Sequence, residues 1–124
     1  MALVLEKETY AIIGAAMEVH GILGPGYLEG VYHEAMEIEL TLRKIPYISQ
    51  PTMRIEFKGH ILKKFYVPDF VVFDSIPVEL KAHSTPISKA DLKQIINSLT
   101  CSGNKVGLLI NFGCESLDHK RLVA

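Results

Sequence analysis

The sequence contains no tryptophan and only two cysteines, Cys101 and Cys114, with no CxxC pair. That scarcity excludes a disulfide framework and fits free thiols in a reducing cell interior. Long apolar runs are missing too. Stretches such as Tyr10–Ile13 and Leu108–Ile110 fall far short of the roughly 20 residues a spanning helix needs, and no charged leader precedes a hydrophobic core. Neither export nor membrane insertion is expected, and a cytoplasmic location follows. Charge of one sign is also absent: 13 Lys and Arg stand against 14 Asp and Glu, a formal net of −1. Any contact with nucleic acid must therefore come from a local patch, because no bulk basic field exists to hold a polyanion. No segment repeats at a fixed period and none is low in complexity, which excludes solenoids and linkers.

What is present is 124 residues, 48% hydrophobic and 22% charged. Such a chain folds as one domain, residues 1–124, around a single core. A mean hydropathy of +0.22 points to apolar surface reserved for a partner, so a homo-oligomer is expected. From Glu6 to His20, Ile12, Ile13, Ala16, Met17 and Val19 recur at helical spacing, stopped by Gly21 and by Gly24-Pro25-Gly26. Leu28, Val31, Tyr32, Ala35, Met36 and Leu42 trace a second amphipathic helix that ends before Pro46.

After Pro51 the period changes to two. Met53, Ile55 and Phe57 alternate with Arg54, Glu56 and Lys58, turn at Gly59, and return through Ile61–Tyr66 into β-rich Val67–Phe73. Pro68 within that second strand argues for an edge or a bulge. Pro77–Lys81 reads as a third strand, Ser88 as the N-cap of a helix through Leu92, Ile95, Ile96 and Leu99, and Val106–Phe112 as a buried strand. The expected fold is α/β with a mixed four-stranded sheet, in the order α-α-β-β-β-α-β. Its last two strands should be parallel, because a strand–helix–strand crossover joins them.

Strand pleating puts Glu79 and Lys81 on one face and Val78 and Leu80 on the other. Asp69 is a carboxylate in otherwise apolar surroundings on the neighbouring strand. Glu29 opens the second helix on the same side as Tyr32 and His33. If that helix packs across the face bearing Glu79, three carboxylates and one lysine converge, which is unfavourable unless a cation binds or a proton is taken up. Oxygen ligands favour Mg²⁺ or Mn²⁺ over zinc. The same residues also read as a solvated strand face with a polar residue near a turn, and spacing alone does not choose between the two.

Pro68-Asp69, nine intervening residues and then Glu79-Leu80-Lys81 resemble the signature of the PD-(D/E)xK nuclease superfamily. Val19-His20, Leu23-Gly24-Pro25-Gly26, Tyr27-Leu28-Glu29-Gly30-Val31-Tyr32 and Gly107–Phe112 are similar to motifs of its small GxxExxY family. The resemblance covers nearly the whole chain and implies a restriction-endonuclease-like core. It further implies metal-dependent hydrolysis of DNA or RNA phosphodiesters, with Mg²⁺ or Mn²⁺ as cofactor and nucleic acid as partner. On that resemblance Asp69 and Glu79 are metal ligands, with Leu80 between the motif residues also placed at the metal. Glu29 is also counted among the metal residues, assisting the metal or its water, and Lys81 positions the nucleophile. Gln94 matches a glutamine often found in the helix after the lysine strand, although the tyrosine that follows it in one branch is Ser98 here. Gln94 also reads as a solvated helix position. The alternative function is a nuclease-fold module that binds nucleic acid or a protein without cutting.

Other residues signal less. The five histidines, His20, His33, His60, His83 and His119, show no zinc-ligand spacing, and His20 reads as a helix-end packing residue. Gly24-Pro25-Gly26 lacks the length and the lysine of a P-loop. Tyr10, Tyr27 and Tyr32 read as core or interface. Lys58, Lys63 and Lys64 flank the Gly59 turn, where they either contact a phosphate backbone or are simply solvated.

Overall fold

The computed structural model describes residues 5–124. Two helices lead the chain, α1 (Glu6–Leu23) and α2 (Glu29–Leu42). Gly21 does not stop α1 as the sequence suggests. The helix runs on to Gly24, whose positive φ of 69° and N–H bond to the His20 carbonyl end it. Tyr32 then ties the loop to α2: its hydroxyl donates to the Gly24 carbonyl at 2.6 Å and its ring stacks on Phe112 at 4.7 Å.

Seven strands follow in place of the expected four: β1 (Tyr47–Ser49), β2 (Met53–Phe57), β3 (His60–Tyr66), β4 (Phe70–Val72), β5 (Ile76–Lys81), β6 (Val106–Asn111) and β7 (Asp118–Val123), with α3 (Lys89–Ser102) between β5 and β6. The main sheet has five strands in the order β1-β4-β5-β6-β7. The β2–β3 hairpin does not join it and stands as a separate two-stranded ribbon. Pro68 supplies the reason: it has no N–H to continue a ladder, so the predicted long strand is divided into β3 and β4. Strand β1 escapes sequence detection because three residues next to Pro46 are too few to show a period. Strand β7 escapes because Asp118-His119-Lys120-Arg121 has none of the apolar pattern of a core strand. The parallel pairing of β5 with β6 is as expected, with Val78 opposite Leu108 and Lys81 opposite Asn111. Ser88 caps α3 in a reciprocal capping box with Asp91.

The core lies between the first two helices and one face of the sheet. Ile12, Ala16 and Val19 of α1 and Tyr32, Met36 and Leu40 of α2 pack with Phe70, Val72, Ile76, Val78, Leu80, Leu108 and Ile110. Each large side chain buried there contributes roughly 1.5–3 kcal/mol. Helix α3 covers the opposite face, close enough that a Cβ at Gly107 would lie 2.9 Å from Ile95 Cγ1. Among the described residues no helix is long and apolar enough to cross a membrane.

Candidate active site

Because Val78 and Leu80 point at α1 and α2, pleating sends Glu79 and Lys81 to the α3 side. This corrects the expectation that α2 packs over the acid–lysine face. Helix α2 takes the apolar face because its Tyr32–Met36–Leu40 stripe has to be buried, and Glu29 at its first turn reaches only the rim of the sheet.

Asp69 leaves Pro68 just ahead of β4, and its neighbours on β5 hold it in place. Its Oδ2 accepts from the Leu80 N–H at 2.7 Å, while its own N–H donates to Glu79 Oε1 at 3.2 Å. The two carboxyl groups are thus clasped through main-chain amides. Oδ1 of Asp69 accepts from His33 Nδ1 at 3.1 Å, and the other ring nitrogen of His33 lies 2.8 Å from Ser49 Oγ. Since a carboxylate only accepts, it keeps a proton on Nδ1, and Nε2 shares its hydrogen bond with the Ser49 hydroxyl. The ring also stacks on Phe70, with centroids 4.3 Å apart. Lys81 Nζ donates to Gln94 Oε1 at 3.0 Å, so a residue of α3 fixes the lysine.

Glu79 is 4% exposed. Burial is the largest cause raising its pKa from 4.5 to about 7; the neighbouring Asp69 charge adds to it, and bonds from Tyr66 and the Asp69 amide with the Lys81 charge oppose it. The Tyr66 hydroxyl beside it is buried without a well-aligned hydrogen bond, and burial followed by the Glu79 charge drives its pKa upward. Glu29 is also held above its ordinary value, first by burial and then by Asp69, with Lys81, His83 and His33 acting the other way. It lines an open hollow of about 420 Å³ with His33, Glu34, Glu37 and Asp69.

The structure therefore brings Asp69, Glu79, Lys81 and Gln94 together and leaves Glu29 at the rim, within their electrostatic field. Among the described residues no group of three or more His, Cys, Asp or Glu side chains is arranged to hold a metal. Asp69, just ahead of β4, and Glu79 of β5 fit a smaller demand. The Asp69 charge raises the Glu79 pKa and the Lys81 charge offsets it only in part, so a cation between the two carboxyls would relieve both, and Mg²⁺ commonly takes only one or two carboxylates and keeps its waters. Leu80 offers only its main chain to such an ion.

Sequence reasoning missed His33, Ser49, Tyr66 and Asn111 as parts of this region. His33 carried a signal, standing four residues after Glu29 on one helix face. Asn111 carried none. It is fully buried at the end of β6, where its amide accepts from the His83 and Gly113 N–H groups and donates to the His83 and Thr85 carbonyls. Those bonds lock the chain that leaves Lys81.

A mixed sheet bearing an acid at one strand and acid-x-lysine on the next defines a class of nuclease-like α/β proteins. The family model of the PD-(D/E)XK nuclease superfamily matches residues 6–122, and the chain belongs to that superfamily. Searches of curated proteins and of solved structures returned no match.

Proposed function

We propose that the chain is a divalent-metal-dependent phosphodiesterase of nucleic acid, of the GxxExxY type, acting inside the cell. The observation that carries this reading is the clasp of Asp69 to Glu79 beside a lysine held by Gln94. Asp69, Glu79 and the Leu80 main chain would hold Mg²⁺ or Mn²⁺. When bound, the ion supplies an acidified water and positive charge for the attacked phosphate. Lys81, pinned by Gln94, orients the attacking water and offers its charge to a phosphate oxygen. Glu29, across the rim, would assist the metal or its water. His33 and Ser49 keep the Asp69 carboxyl from rotating. Strongly exposed apolar side chains on α1 and α2, among them Tyr10, Ile22 and Leu42, support a homo-oligomer.

One observation favours the second reading, a nuclease-fold module that binds without cutting: both Asp69 oxygens already have protein donors. Purified protein decides between them. On the first reading it cuts DNA or RNA with Mg²⁺ or Mn²⁺, whereas Ca²⁺ binds without turnover. Asp69→Asn and Glu79→Gln lose metal affinity and cleavage together, and Lys81→Ala loses cleavage alone by roughly 10²-fold or more. Cleavage surviving Asp69→Asn, or Mg²⁺ binding with no cleavage across a broad panel of nucleic acids, overturns it.

A further inference from the structure

The β2–β3 ribbon contributes little to the core. All of β3 before Tyr66 is exposed, and Ile61, Phe57 and Phe65 stand 65%, 60% and 51% open to solvent. Its inner side rests on α3, where Ser98 Oγ lies 3.6 Å from the Met53 sulfur and Cys101 Sγ 2.8 Å from the Arg54 carbonyl. Its outer side is basic and aromatic. Arg54 pairs with Phe65 across the strands and places its guanidinium 5.4 Å from that ring's centroid. Between Arg54 and Glu56 the register slips, leaving Leu62, Lys63 and Lys64 opposite Ile55 alone, a bulge at which both lysines are exposed. Across Met53–Tyr66 four basic residues stand against Glu56, a net of +3 in a chain whose total is −1. The remaining residues therefore sum to −4.

The opposite flank of the site has the other sign. Helix α2 carries Glu29, Glu34, Glu37 and Glu39 and no lysine or arginine, and the first three of these line the hollow beside Asp69. A polyanion is repelled from that flank and attracted to the ribbon, whose base, Tyr66, adjoins Glu79.

We propose that the β2–β3 ribbon is an arm that grips duplex DNA through the major groove and leads one strand to the Asp69–Glu79–Lys81 site at its base. Seven residues of β3 reach about 23 Å at roughly 3.3 Å each. The B-form major groove, about 12 Å wide, admits a two-stranded ribbon, while the A-form groove of RNA is too narrow for side chains to read. Lys58, Lys63 and Lys64 meet phosphates, and exposed Ile61 and Phe65 suit the thymine methyl edge. A second copy fits this surface poorly, because a two-fold contact sets the patch against itself and here opposes +3 with +3.

The inference rests on the phosphodiesterase reading, and its test separates the two. Full-length Asp69→Asn protein is titrated by fluorescence anisotropy with a 20-base-pair DNA duplex, the equivalent RNA duplex and single-stranded DNA, at 50 to 200 mM salt. The same is done with Lys58→Gln, Lys63→Gln and Lys64→Gln added. The triple change is expected to weaken DNA-duplex binding at least 10-fold and to lower the salt slope by about 2 to 3, near 0.9 per lost phosphate contact. Arginine at the same three positions restores both, which separates charge from folding. On the otherwise unaltered chain, the glutamine changes raise KM for duplex DNA and leave hydrolysis of a p-nitrophenyl phosphodiester unchanged.

Equal salt slopes, a larger loss on RNA or single strands, or loss of self-association in sedimentation with DNA affinity intact overturns the proposal. Ribbon-dependent DNA binding without hydrolysis of any diester upholds the arm and removes the phosphodiesterase reading instead.

Discussion

Strand β6 is buried at all six of its residues, whereas β3 is exposed at six of its seven. Both contain apolar and β-branched residues, so intrinsic propensity does not separate them. Position does. Strand β6 has β5 on one side, β7 on the other, the α1–α2 layer on one face and α3 on the reverse. Among the described residues strand β3 has only β2 as a partner. The sheet carries the stability, and the ribbon is left with solvent-facing aromatic and basic groups that the core does not need. Between these regions lies the site, with Asp69 just after the ribbon ends and Glu79 in the middle strand of the sheet.

The largest expected difference is in packing. Leu108→Ala removes a fully buried side chain and should cost about 3 kcal/mol in urea unfolding, within the 2–5 kcal/mol usual for such changes. A loss below about 1 kcal/mol would mean that the buried strand is no better packed than the ribbon.

A pH titration probes the sheet's one buried carboxyl. Glu79 titrates near 7 in the folded chain against an ordinary value of 4.5. The folded state thus holds the proton over a range where the unfolded state has released it. Stability from this group is greatest below about pH 4.5, falls as pH rises through about 7, and levels off above, a change on the order of 3 kcal/mol. Urea midpoints at pH 5 and pH 8 should therefore differ in the parent chain by more than in Glu79→Gln. Equal differences in the two proteins would show that Glu79 ionises as an exposed carboxyl would.

At the junction of the two regions, His33→Ala frees the Asp69 carboxyl without opening the sheet. If Asp69 holds the metal as proposed, affinity followed by Mn²⁺ calorimetry should drop about 10- to 100-fold, the usual effect of losing a partner of a ligand. His33→Asn, which keeps a donor, should recover part of it, and unaltered affinity in the alanine variant would remove His33 from the site.

The smallest effect belongs to the ribbon. Ile61→Ala should change unfolding stability by no more than about 0.5 kcal/mol, because its side chain is already largely in water. A loss near that of Leu108→Ala would place the ribbon in the cooperative core and erase the contrast between the sheets.

How much of this was legible beforehand varied with the length of the pattern. The helices α1, α2 and α3 and the β5–α3–β6 crossover were readable because each repeats its period over many residues or has a cap. Three-residue β1 and polar β7 show no such repetition. The site followed the same rule. Asp69, Glu79 and Lys81 were visible through pleating and motif spacing, while Ser49 comes from a strand too short to predict. Tyr66 gave no sign because its relation to Glu79 depends on where the chain turns after Pro68.

The sequence by itself determined the parallel β5–β6 pair and the common face of Glu79 and Lys81, since each depends on local period or on the handedness of one crossover. Only the tertiary structure decided which layer covers that face. Alternation states that Glu79 and Leu80 point in opposite directions, but both directions are buried in this sheet. The choice fell to the whole set of apolar stripes. Helices α1 and α2 bury theirs against Val78 and Leu80, and α3 is left to hold Lys81 through Gln94. Glu29 is kept at the rim for the same reason, and the ribbon stands apart from the main sheet, with Pro68 breaking the ladder between β3 and β4.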